Sequence, residues 1–168
     1  IGVILHQAPN APLSVETLTR IASIDNVVGF KDEIGDLNWF SKAVQAVGDK
    51  LVGICGLSEK MAPYYFLAGC KAYTSGASNI LPKDSIELAE ASLKKDFSKA
   101  YQISRRFDAI ASLRARPGRH APVVKAALMM MGVIKSDEVR LPLFKLNNEE
   151  KEELRGVLEG YGIQLHKG

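Results

Sequence analysis

Four times in the first half of the chain, a short apolar run gives way to a stretch with helical spacing. This alternation constrains the fold more than any other feature. The runs are Gly2-Val3-Ile4-Leu5, Val27-Val28-Gly29-Phe30, Leu51-Val52-Gly53-Ile54-Cys55 and Ala72-Tyr73-Thr74-Ser75. Continuous apolar runs of strand length read as parallel strands covered by helices on both faces. Between them, Ser14 is a good N-cap for a helix carrying Val15, Leu18, Ile21 and Ala22. Gly35-Asp36 opens a helix with Leu37, Phe40, Val44 and Val47 on one face, and Gly48-Asp49 ends it. A third helix is expected from about Met61 to Leu67, with Pro63 tolerated in its first turn, and a fourth carries Ile86, Ala89 and Leu93. The pattern is βαβαβαβα, an α/β arrangement with connections short enough for right-handed parallel crossovers.

No strand signal returns after this. Asp96 is expected to cap one long helix with Phe97, Ala100, Tyr101, Ser104, Phe107 and Ala111 facing inward. Pro122 starts another that ends at Gly132, with Val123, Val124, Ala127, Leu128 and Met131 on its apolar face. Asn147 and Glu150 have the spacing of a capping box for a last helix with Leu154, Val157, Leu158 and Tyr161. The expected division is 1–94 for the βα units and 95–168 for a helical extension.

With 22 basic and 19 acidic residues, the net charge of +3 is too mild to imply nucleic acid or a membrane surface. No apolar run approaches the roughly 20 residues of a membrane span. Cys55 and Cys70 lack metal-ligand spacing and read as reduced, buried residues of a cytoplasmic protein. His6, His120 and His166 lie far apart, so no metal motif is present, and Met129-Met130-Met131 reads as core. The basic concentration around Arg114, Arg116, Arg119 and His120 lacks interleaved aromatics and reads as a solvated or intersubunit face. The chain does not begin with Met, and its first residues already read as a strand, as expected of a fragment.

Lys31 ends the second apolar run, and the carboxyl ends of parallel strands form the usual active-site mouth of α/β folds. Partial desolvation there disfavours an amine's charged form, and a neutral amine can attack a carbonyl to form a Schiff base. On the local pattern alone, a lysine snorkelling at a strand end is the commoner case.

Several motifs in order shift that balance. Val27-Val28-Gly29-Phe30-Lys31-Asp32, Ala68-Gly69-Cys70-Lys71-Ala72-Tyr73-Thr74-Ser75-Gly76-Ala77-Ser78-Asn79, Pro122-Val123-Val124-Lys125-Ala126-Ala127 and Arg140-Leu141-Pro142-Leu143 follow one another along nearly the whole chain. Together they resemble the dihydrodipicolinate synthase/N-acetylneuraminate lyase family of class I Schiff-base (βα)8 barrels. The resemblance covers the family's second half, strand five onward, whereas a closed barrel takes roughly 250 residues. It implies that four further βα units, with the Thr-Thr pair that holds the substrate carboxylate, are missing from this sequence or supplied by another chain.

The resemblance further implies that Lys31 forms the imine. Ser75, Gly76, Asn79, Gly56 and Glu59 would lie on the substrate side, although a solvated Glu in a helix first turn is the commoner case for Glu59. It implies no metal or organic cofactor beyond the lysine imine, a small-molecule 2-oxo acid or sugar-acid substrate, and assembly as a homo-oligomer, commonly a tetramer. Two departures bear on chemistry. His6-Gln7-Ala8-Pro9 stands where the family has Tyr-Asn-x-Pro, so His6 is the candidate for proton transfer, and an ordinary strand-end histidine fits equally well. Ala11 stands where dihydrodipicolinate synthases place a carboxylate-binding arginine. These changes favour a pyruvate-type aldolase or a 2-keto-3-deoxy sugar-acid dehydratase over dihydrodipicolinate synthase proper. A non-catalytic metabolite-binding relative and a purely structural βα domain stay open as alternatives.

Overall fold

The structure is a computed structural model that describes residues 1–166. Strands β1 (Val3–Gln7), β2 (Val27–Asp32), β3 (Val52–Cys55) and β4 (Ala72–Tyr73) form one parallel sheet in the order β1-β2-β3-β4. Helices α1 (Val15–Ile21), α2 (Leu37–Val47) and α3 (Ser58–Leu67) make the crossovers, and α4 (Pro82–Leu93) follows β4. Then come α5 (Phe97–Arg105), α6 (Asp108–Arg114), α7 (His120–Met130) and α8 (Asn148–Gly160). The chain divides into two compact units, Ile1–Ser75 with Ser85–Arg105, and Gly76–Asp84 with Arg106 onward.

In the first unit the strand order never reverses. Right-handed crossovers that always step in the same direction put their helices on the same face of the sheet. That face is built on Phe30, whose ring lies 5.4 Å from Phe40 and 5.9 Å from Trp39 of α2. Phe40 in turn meets Tyr65 of α3 at 4.7 Å, and each such aromatic pair adds about 0.5–1.5 kcal/mol beyond its area burial. Neighbouring strand residues point to opposite faces, so Gly29 and Lys31 look the other way. The register puts Ile4, Gly29 and Val52 in one row, with His6, Lys31 and Ile54 in the next row on the same face. Ile4 is 54% exposed and Val52 40%. The expectation of strands covered by helices on both faces therefore fails. An apolar run does not say what covers each of its faces, and here helices cover one.

The helix caps form as their residues dictate. Ser14 accepts from Thr17 N at 3.0 Å, Asp36 from Trp39 N at 3.0 Å and Asp96 from Lys99 N at 3.1 Å. Four details differ from the sequence reading. Helix α3 begins at Ser58 instead of Met61, because Ser58 at φ 62° turns the chain directly into it, so Pro63 sits inside the helix rather than in its first turn. Strand β4 has only Ala72 and Tyr73. Helix α4 buries Ser85, Leu88, Ala91 and Ser92 and leaves Ile86 and Leu93 exposed. Its rotation follows the Tyr73 hydroxyl, which donates to Ser85 O at 2.9 Å. The single long helix after Asp96 is two, α5 and α6, broken at Arg106-Phe107 with Phe107 buried at the break.

In the second unit α6, α7 and α8 bury Ile110, Leu113, Val123, Ala126, Met130, Leu154 and Leu158. The capping box forms in both directions: Glu150 N donates to Asn147 Oδ1 at 2.8 Å, and Asn147 N donates to Glu150 Oε2 at 2.9 Å. The basic concentration is largely spent inside the chain. Arg116 holds Glu153 through two hydrogen bonds of 2.6 and 2.7 Å, and Arg119 holds Glu150 at 2.6 Å. Arg114 is buried, not solvated.

Candidate active site

Parallel register sets the first distance in the site. His6 of β1 and Lys31 of β2 are directly paired, one residue short of the carboxyl ends of their strands. The ladder runs one step further, with Glu33 N donating to Gln7 O at 2.9 Å. This keeps Glu33 in extended register two residues past Lys31, and period-two alternation returns its side chain to the lysine's face. There its carboxylate bridges the other two groups. Oε1 lies 2.5 Å from Lys31 Nζ, and Oε2 lies 2.9 Å from His6 Nε2. Burial pushes the Glu33 carboxyl up, but hydrogen bonds from Lys31 and His6 and their charges outweigh it, leaving the group below its ordinary value of 4.5. The Lys31 side chain is 27% exposed. The amine, expected to be partly desolvated, lies against a carboxylate.

Gly56 makes room for this arrangement. A methyl group there would lie 2.4 Å from Glu33 Cγ, 2.6 Å from Asp32 O and 2.9 Å from Lys31 Cε. Only a residue without Cβ fits without displacing both side chains, so Gly56 packs directly against Lys31 and Glu33. Gly56 N also donates to Asp32 O at 2.7 Å, which ties the loop after β3 to the end of β2.

Beneath the lysine, on the helix-covered face, the fully buried Asp32 stiffens the strand end. It accepts from Ile34 N at 3.2 Å, from Gly35 N at 3.3 Å and from the Tyr65 hydroxyl. Burial and the neighbouring Asp32 carboxylate drive the Tyr65 phenol well above its ordinary range, so it stays a donor. At β1, Gln7 Oε1 accepts from Leu13 N at 2.6 Å and folds the proline-containing loop back over the strand end.

Glu59 and Ser75 form a second pair, in which the Ser75 hydroxyl donates to Glu59 Oε1. Glu59 is buried, which removes the solvated first-turn alternative, and its Oε2 is buried with no hydrogen-bond partner among the described residues. Burial raises the Cys55 thiol to about 12 and the Cys70 thiol to about 11, so both free cysteines stay protonated structural residues. Gly76 and Asn79 begin the second unit, where Asn79 Nδ2 donates to Gly76 O at 3.0 Å and the guanidinium of Arg114 lies against Gly76. Among the described residues no three His, Cys, Asp or Glu side chains converge as a metal site, and no helix is long and apolar enough to cross a membrane.

Residues 1–160 match the model of the dihydrodipicolinate synthetase family. The chain belongs to that family. A 4-hydroxy-tetrahydrodipicolinate synthase of Syntrophobacter fumaroxidans is 34% identical over 148 residues, which is 88% of this chain and 50% of the relative. A probable 5-dehydro-4-deoxyglucarate dehydratase of Variovorax paradoxus is 31% identical across 97% of this chain and 55% of its own length. The crystal structure of dihydrodipicolinate synthase from Aquifex aeolicus superposes with a TM-score of 0.87 at 27% identity, covering 99% of this chain and 57% of that one. The chain thus spans about half the length of its family relatives.

The sequence reading missed Glu33, Asp32 and Tyr65. Glu33 was within reach of a simple rule, because extended backbone continued two residues past Lys31 returns a side chain to the same face. Tyr65 carried no local signal, since its role exists only once α3 packs over β2.

Proposed function

We propose that this chain carries the imine-forming half of a Schiff-base lyase acting on a 2-oxo acid. The observation that supports it best is Lys31 at the carboxyl edge of β2, with its amine directed to the sheet face away from the helices and held by the Glu33 carboxylate, which also holds the His6 imidazole. The neutral amine of Lys31 adds to the keto carbon, forming the C–N bond while the carbonyl oxygen takes up a proton. The carbinolamine then expels water and leaves a protonated imine, an electron sink for the bond next to it. His6 transfers protons in these steps. Gly56, Ser75 and Glu59 are assigned to the substrate side, and the same role for Gly76 and Asn79 is carried by the resemblance alone. The chemistry needs no cofactor besides the lysine.

The relatives named above are a synthase and a probable dehydratase, and loss of an arginine at Ala11 favours the dehydratase or an aldolase of the same type. In this reading the four strands are half of a closed eight-stranded barrel. The partly exposed row of Ile4 and Val52 is the face that four further βα units would cover, and the outer edges of β1 and β4 are where their strands would pair. Assembly of completed barrels into a tetramer belongs to the same proposal. Borohydride reduction in the presence of pyruvate, followed by peptide mass analysis, tests it. A stable adduct on Lys31 supports the reading, and a folded and complete barrel with no adduct there rejects it.

A further inference from the structure

We infer that Glu33 is a positioning residue, which clamps His6 beside Lys31 so that an imidazole–carboxylate pair performs the proton transfer at the imine. The inference rests on the lysine-imine reading above and adds to it a residue and a division of labour. Three independent features of the fold converge on it. The β1–β2 register pairs His6 with Lys31, and the ladder bond from Glu33 N to Gln7 O holds Glu33 over both. One carboxylate reaches both partners through different oxygens, at 2.5 Å to Lys31 Nζ and 2.9 Å to His6 Nε2. Gly56 lacks the side chain that would displace the Glu33 stem.

The consequence for chemistry follows from which ring nitrogen is engaged. Glu33 takes His6 Nε2, so the proton-accepting role falls to Nδ1 in the neutral ring. Once pyruvate is bound to Lys31 as the protonated imine, His6 Nδ1 removes a proton from the methyl carbon. The electrons of that C–H bond become the new C=C bond, and those of the C=N bond settle on the Lys31 nitrogen, giving a neutral enamine. The imidazolium left behind pairs with the Glu33 carboxylate, so the negative charge that first balances the iminium then balances the histidine. Return of a proton or a deuteron from His6 to the carbon reverses the step.

The test separates imine formation from proton transfer. Borohydride trapping reads the first, and exchange of pyruvate methyl protons in heavy water, followed by NMR, reads the second. Glu33→Gln keeps the size of the side chain and removes its charge. It removes the charge beside Lys31 as well, so the readout is the ratio of exchange to trapping, which is expected to fall by about tenfold or more, part of what a positioned acid–base group contributes. An equal ratio in Glu33→Gln and wild type overturns the inference, as does a wild-type protein that traps pyruvate but exchanges no protons. No Lys31 adduct in the folded and complete wild-type barrel overturns the lysine-imine reading itself, and this inference with it. A measurement on the unmutated protein makes the result independent of how the variant folds. Ring-nitrogen NMR of neutral His6 should place its proton on Nε2, and a proton on Nδ1 contradicts the clamp.

Discussion

The substitution Gly56→Ala tests the site's geometry through a single methyl group. That methyl would lie 2.4 Å from Glu33 Cγ, 2.9 Å from Lys31 Cε and 2.6 Å from the Asp32 carbonyl oxygen. All three distances are below van der Waals contact. The carbonyl cannot retreat freely, because it accepts from Gly56 N at 2.7 Å and belongs to the strand end that Asp32 anchors. The two side chains must give way instead, leaving their preferred rotamers. Overpacking of this kind costs about 1–3 kcal/mol. Moving the lysine by an ångström should also slow trapping of pyruvate by roughly tenfold to a hundredfold. Urea unfolding and the borohydride assay read the two effects. Gly156→Ala is the control, since Gly156 lies within α8 with open space around it, and alanine there should stabilise by about 1 kcal/mol and leave trapping unchanged. A Gly56→Ala protein with wild-type stability and wild-type trapping would refute the packing described for the site.

Other consequences are simpler to state. Tyr65→Phe removes the hydroxyl that donates to buried Asp32 and should cost about 1.5–3 kcal/mol in urea unfolding, and a loss below half a kcal/mol would contradict that bond. Asn147→Ala removes one arm of the capping box and should lower the stability of the α8 region by about 1 kcal/mol, measured by hydrogen exchange along that helix. Asp137 is buried and paired with Lys151 at 2.6 Å. Burial raises its carboxyl, but the lysine's hydrogen bond and charge outweigh this and hold it below its ordinary value of 3.8. A group depressed in the folded state contributes stability above its unfolded value, and that stability disappears as pH falls through the folded one. Stability should therefore drop with acid below about pH 4, and Asp137→Asn should flatten that drop.

What could be read in the sequence was whatever local rules decide. Short apolar runs separated by helical spacing led to the parallel sheet, and Ser14, Asp36, Asp96 and Asn147 each capped the helix that their side chains can cap. His6 and Lys31 were identified separately as strand-end residues, and register then made them neighbours. What could not be read depends on packing between distant segments. The exposed row of Ile4 and Val52 follows from one-directional winding, which no single strand reveals. The rotation of α4 depends on a tyrosine from β4, and the buried Glu59 on a serine just beyond the same strand. The break between α5 and α6 falls at Arg106-Phe107, where neither Gly nor Pro marks a stop.

The most direct measurement is the identity of the lysine that pyruvate labels. After borohydride reduction, peptide mass analysis should find the adduct on Lys31 ahead of the other lysines, and Lys31→Arg should abolish it. A folded protein whose label is spread evenly over exposed lysines, and survives the loss of Lys31, would contradict the account.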